Sequence, residues 1–100
     1  MVIHTKTTHT LPRDFVKVVV DVERKILAAG CELHIDCADQ LMNDGSSRTD
    51  LWGANVYLDK NAIDFISLIN IRPAEGNHSM EILLSAVKNK VEAVIRNLLF

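Results

Sequence analysis

The chain is poor in the residues that announce a specialised chemistry. Only two of its 100 residues are cysteine, Cys31 and Cys37, which excludes a disulfide-dense scaffold. Their spacing matches neither a zinc ribbon nor a redox Cys-x-x-Cys. Two prolines and four glycines leave no linker and no low-complexity segment. The one Trp, one Tyr and three Phe do not interleave with Lys or Arg, so a stacking platform for single-stranded nucleic acid is missing. Eleven basic against thirteen acidic residues give a formal charge of −2, without the basic footprint that duplex binding needs. Val18-Val19-Val20 is broken at once by Asp21, and nothing approaches the ~18 apolar residues of a membrane span. The apolar part of Met1-Val2-Ile3-His4 is too short for a signal-peptide core. The expected compartment is the cytoplasm. Gly-x-Ser-x-Gly, Walker and dinucleotide fingerprints are absent, as is His-Glu-x-x-His.

What is present is an ordinary globular balance, 48% apolar and 24% charged. It suits a single α+β domain over residues 1–100. A C-terminal helix over 79–98 follows from Leu84, Val87, Val91, Val94, Ile95 and Leu98 at three- and four-residue spacing. Ser79 is placed to cap it and Glu81 to sit in its first turn. Its end, Leu98-Leu99-Phe100, calls for docking on the domain or on a second copy.

Segments 51–58 and 63–72 read as a β-hairpin around Lys60-Asn61. The register that pairs Trp52 with Ile69, Val56 with Phe65 and Leu58 with Ile63 puts an almost wholly apolar face towards the C-terminal helix. Trp52 belongs to that core face. The other face pairs Gly53 with Leu68, Asn55 with Ile66 and Tyr57 with Asp64. It is mixed, and too apolar to be simply solvated.

Residues 15–36 admit two readings. As a helix, Phe15, Val18, Val19, Val22, Ile26 and Ala29 form a stripe, started by Thr10 and Pro12 and stopped by Gly30. As a strand pair, Val16, Val18, Val20 and Val22 alternate, and Glu23-Arg24-Lys25 turns. The β-branched density favours strands. Either way a strand near 31–36 is expected, so the sheet is small and largely antiparallel. Along an extended strand Cys31 and Cys37 lie about 20 Å apart, beyond the ~7 Å that a disulfide tolerates. A bridge would need a sharp bend between them or a helix after Asp36. Buried apolar thiols are the simpler reading.

Four stretches together are distinctive: Glu32-Leu33-His34-x-Asp36, Asp44-Gly45-Ser46, Leu51-Trp52-Gly53-Ala54-Asn55-Val56-Tyr57 and Ile69-Asn70-Ile71-Arg72-Pro73-x-x-Gly76-Asn77. In this order, over roughly residues 15–82, the chain resembles a family of short prokaryotic proteins known only as a domain of unknown function. The resemblance implies no established activity. The chain departs from that pattern at Thr7–Pro12, where a fuller helical stretch is expected, and at Cys31, where a glycine is.

Two constellations could carry chemistry. Glu32, His34 and Asp36 share one face of the expected strand and offer acid–base groups. The outer two would stand about 13 Å apart, so they cannot hold one ion together. No metal site and no cofactor are expected. Asn55, Tyr57, Asn70 and Arg72 share a hairpin face, and the Gly76-Asn77 turn could aim backbone N–H groups at a small anionic ligand. The alternative is that Arg72 pairs with Asp36, Asp64 or Glu32 while Asn70 and Asn77 tie down turns.

These features lead to two expectations of different kinds. The first is a non-enzymatic interaction or binding protein that self-associates as a homodimer through surplus apolar surface. The second is a small enzyme or an anion/carboxylate-binding module that joins Glu32, His34 and Asp36 to Arg72 and Gly76-Asn77. A concave pocket shared by His34 and Arg72 would separate them. A toxin–antitoxin or regulatory role finds no support in the charge.

Overall fold

Alternating β-branched residues build the centre of the molecule. In the computed structural model, which describes residues 1–6 and 11–100, five strands form one sheet. They are β1 (Val2–Ile3), β2 (Val16–Asp21), β3 (Ile26–Ala29), β4 (Leu51–Tyr57) and β5 (Ala62–Asp64). Their order is β1-β3-β2-β4-β5, and every neighbouring pair is antiparallel. The helices are α1 (His34–Asn43) and α2 (Ser85–Leu99). This is the small α+β architecture expected. Thr10, proposed as a helix start, lies outside the described residues, as does His9.

The strand reading of 16–29 holds because both faces of this pair are covered. Val16, Val18, Val20, Leu27 and Ala29 join Trp52, Ala54 and Val56 under Val91, Val94, Ile95 and Leu98 of α2. Val19, Ile26, Ala28 and Leu51 pack on Cys37, Ala38 and Leu41 of α1. A sheet covered on both sides buries consecutive valines as readily as alternating ones. The β2–β3 turn is fixed by Asp21, whose carboxylate accepts the N–H of Glu23 (2.9 Å) and of Arg24 (2.8 Å).

Four expectations need correction. Residues 31–36 are not a strand. Gly30 takes a left-handed turn at φ 83°, and α1 starts at His34. Cys37, Ala38 and Leu41, at helical spacing, hold α1 on the sheet, and this outweighs a five-residue alternation. The bend also brings Cys31 and Cys37 to a Cα separation of 5.7 Å, where they form a disulfide; they are not free thiols.

The hairpin is shorter and shifted. Val56 pairs with Ile63, not Phe65, and Tyr57 with Ala62. Left-handed Asn61 (φ 50°) closes a tight turn after Leu58–Lys60. The shift is two residues, so the side chains that stay paired, 62–64, keep their faces. Ile69, expected opposite Trp52, instead packs with Leu51 on the α1 side, because the chain leaves regular pairing after Asp64. Beyond Asp64 the chain leaves regular pairing and makes short helical turns at Leu68–Asn70 and Pro73–Glu75. Finally, α2 begins at Ser85. Ser79 Oγ accepts the Glu81 N–H (3.1 Å) in a local turn instead, because Glu81 is held in a bridge to Ile66. The helix end docks on its own domain. Leu98 is buried, and Leu99 and Phe100 pack against the same core.

Gly53 marks the tightest approach of the irregular segment to β4. A Cβ there would lie 2.5 Å from Ser67 Cβ and 2.6 Å from its Oγ. Ser67 cannot retreat easily, since its N–H is bonded to the Met80 carbonyl (3.0 Å). Gly53→Ala should lower stability by about 1–3 kcal/mol. Denaturant unfolding should show a lower midpoint at unchanged slope; an unchanged midpoint would contradict the close approach.

Candidate functional site

The Ile69–Asn77 motif carries four of the nine expected site residues, and its geometry turns its asparagines inward. Asn70 is fully buried. Its Oδ1 accepts the Gly53 N–H (2.8 Å), and its Nδ2 donates to the Gly53 carbonyl (2.9 Å) and the Met80 carbonyl (3.0 Å). A side-chain amide carries the same donor and acceptor as a peptide group. Asn70 thus takes the place of a strand residue beside β4. Asn77, also fully buried, reaches the carbonyls of Asn70 (2.8 Å), Ser79 (3.0 Å) and Glu81 (3.0 Å) through Nδ2. Its Oδ1 accepts the Leu83 N–H (2.8 Å). Both asparagines tie down turns.

Arg72 is engaged on every side. Its guanidinium lies 4.3 Å above the Trp52 ring centroid. It donates to the carbonyls of Ile69 (3.3 Å), Thr49 (3.0 Å), Arg48 (3.2 Å) and Leu51, and to Glu75 Oε2 (3.0 Å). Of the carboxylates considered from sequence, none is its partner; Glu75, three residues on, is. Gly76 supplies the left-handed turn (φ 85°) that lets Arg72 and Asn77 exchange backbone hydrogen bonds at 2.7 and 3.1 Å. The Gly76 N–H donates to the Pro73 carbonyl (3.1 Å). The donors that would hold an anion are therefore committed to the protein's own oxygens.

Glu32, His34 and Asp36 fall in the bend and the first turn of α1, with Glu32 and Asp36 exposed. Among the described residues no group of three or more His, Cys, Asp or Glu is placed to hold a metal ion. His34 is half-buried, and its Nε2 lies 2.8 Å from the Ala54 carbonyl oxygen. A carbonyl only accepts, so Nε2 carries the hydrogen and a second proton would go to Nδ1. Burial lowers the His34 pKa, and the charge of Lys17 adds to this; the Ala54 carbonyl and the Asn55 amide oppose it. Asn55 donates to the Ile66 carbonyl (3.3 Å), while its buried Oδ1 has no hydrogen-bond partner. Tyr57 packs its ring on Phe15 at 5.5 Å.

Two grooves flank Ile35 and Ile69. One, about 430 Å³, has Lys17, His34 and Asn55 as its polar part and Phe15, Leu33, Ile66, Leu68 and Met80 among its walls. The other, about 440 Å³, runs past Met42, Arg48, Ile71 and Arg72. His34 and Arg72 thus line different grooves. Sequence reading placed Leu68 and Ile66 on a face too apolar to be simply solvated; what it missed is that Leu33 and Ile71 join them, with Leu33 56% exposed, Leu68 71% and Ile71 44%. The sequence signal for the face was the surplus of apolar residues on the second hairpin face.

The neutral His34 should make stability pH-dependent. The unfolded chain takes up a proton near pH ~6.5, whereas the folded chain resists it, so this contribution is complete above that pH. It is lost as pH falls through the depressed folded value. Asp44 acts in a separate, more acid window: hydrogen bonds from His4 and Arg24 lower its pKa. Thermal unfolding followed from pH 7.5 to 5 should show a falling Tm that His34→Gln flattens. An identical slope in both proteins would contradict the burial of a neutral imidazole.

A family model described as "Protein of unknown function (DUF5674)" matches residues 3–98. This reaches well beyond the stretch whose motifs suggested a resemblance. No curated protein and no solved structure matches the chain. The order of its elements, the inward-turned Asn-x-Arg-Pro motif and the apolar face beside it are therefore features of a chain that belongs to the DUF5674 family.

Proposed function

We propose that this chain is a non-enzymatic interaction protein that works as a homodimer in the cytoplasm. Its working surface would be the face around the His34 groove. One observation carries the reading. Phe15, Leu33, Ile35, Ile66, Leu68, Ile71 and Met80, each between 38% and 71% exposed, line the two adjoining grooves of that face. Together they expose on the order of 500 Å² of apolar surface, at the upper end of what a monomer usually leaves open.

The face is suited to a second copy of itself. Leu68, the most exposed of these side chains, stands at the rim of a concave groove. A knob and a hole on one face are what a two-fold interface requires, since each copy can insert its knob into the other's hole. With a polar rim added, the contact approaches the ~800 Å² per partner of a standard interface. Acid–base catalysis finds less support. The groups that meet the His34 ring are the Ala54 carbonyl and the Asn55 amide, and among the described residues no carboxylate orients it as a base would require. No helix of the described residues is long and apolar enough to cross a membrane.

Light scattering at tens of micromolar should give a dimer mass for the wild type. Leu68→Asp should weaken the dimer by about 100-fold or more, because each copy would bury an unpaired charge, while leaving the circular dichroism unchanged. A clean wild-type monomer would refute the proposal.

A further inference from the structure

We infer that the Cys31–Cys37 bridge is a redox latch on this groove, an inference that rests on the reading of the face as the interaction surface. The bridge closes a short loop, with a sequence separation of 6. Three consecutive groove residues, Leu33, His34 and Ile35, lie inside that loop. The latch therefore holds one wall of the groove and little else.

The wall has few other restraints. β3 ends at Ala29, Gly30 adopts a left-handed turn, and α1 begins without a side-chain cap at Leu33. Glu32, Leu33, Ile35 and Asp36 are all exposed. Among the described residues, the His34–Ala54 hydrogen bond and the bridge are what tie the wall to the sheet side, besides the first turn of α1 itself, in which the Asp36 N–H donates to the Leu33 carbonyl (3.1 Å). On reduction the rest of α1 should stay docked, because Cys37, Ala38 and Leu41 are buried against the sheet. A loop this short constrains the unfolded chain least, so the effect of the bridge is local order rather than global stability.

The two sulfurs differ in access. Cys31 is half-buried, whereas Cys37 is fully buried. A dithiol reductant would attack the reachable Cys31 Sγ as its thiolate, forming a mixed disulfide and releasing the Cys37 thiolate, which takes up a proton. The reductant's second thiolate then attacks its own sulfur in the mixed disulfide and frees the Cys31 thiolate, which is protonated in turn. The protein gains two electrons and two protons, and the dithiol leaves as a disulfide. In a reducing compartment a bridge of this kind serves as a sensor more often than as a staple.

The test compares oxidised protein, protein reduced with dithiothreitol, and the Cys31→Ser/Cys37→Ser double variant. Thiol titration assigns the redox state. Hydrogen exchange and light scattering are then read on the same samples. Reduction should speed amide exchange at residues 36–39, whose N–H groups are held by the carbonyls of the wall, and leave β2 and α2 unchanged. It should weaken the dimer about tenfold, since a loosened wall must be reordered on binding. The double variant should match the reduced protein and ignore dithiothreitol. Unchanged exchange at 36–39, or faster exchange with an unchanged dimer, would overturn the latch. A monomeric oxidised protein would overturn the homodimer reading instead, and faster exchange on reduction would still support a latch on the wall.

Discussion

Along the β5 side of β4, four alternate residues present their backbone groups, and only two of them find a strand. Asn55 pairs with Asp64 and Tyr57 with Ala62 of β5. Gly53 meets the Asn70 side chain through both its N–H and its carbonyl, and the Leu51 carbonyl accepts from Arg72. The ladder is thus continued by an amide and a guanidinium where a strand would ordinarily run. A buried backbone group left unpaired would cost about 1–3 kcal/mol, so these side chains are structural necessities. The arrangement also explains Gly53. A segment that bonds through a short side chain must lie close, and only a residue without Cβ admits Ser67 at that distance.

From this substitution follows the shape of the apolar face. Because side chains close the edge of β4, residues 65–84 are free to leave the sheet and turn back on themselves. Asn77 then collects their carbonyls from inside. The loop turns its polar groups inward, which leaves its apolar side chains, Ile66, Leu68, Ile71 and Met80, pointing outward. A motif that looks like a ligand site in sequence acts as scaffold, and the surface it creates is apolar.

The terminal helix was legible because it repeats one period over many residues, whereas residues 15–29 fit a helix and a strand period alike and only their β-branched density favoured strands. The hairpin faces were legible as far as Asp64, since a two-residue slip preserves them; beyond it Ile69 changed sides, because the chain no longer pairs as a strand. Residues 31–36 were not legible. Five alternating residues fit a strand and a helix start equally, and the contacts that decide, Cys37, Ala38 and Leu41 on the sheet, come later in the chain. The disulfide was hidden by the same misreading, because its distance depends on the path between its ends. The roles of Asn70, Asn77 and Arg72 were visible only as alternatives. Side-chain amides that imitate backbone leave no periodic trace, and the choice between ligand and scaffold rests on which oxygens lie within reach.

The face beside β4 depends on Asn70 acting as part of the sheet, and hydrogen exchange at the Gly53 amide reports on that contact directly. Among the described residues that N–H donates to the Asn70 side chain and not to a neighbouring strand. If the amide is locked into the fold, it should exchange as slowly as its β4 neighbours within the β2–β4 ladder, through global unfolding. Exchange of Gly53 at nearly the rate of an unstructured peptide, with its neighbours still protected, would contradict the claim that Asn70 completes the sheet.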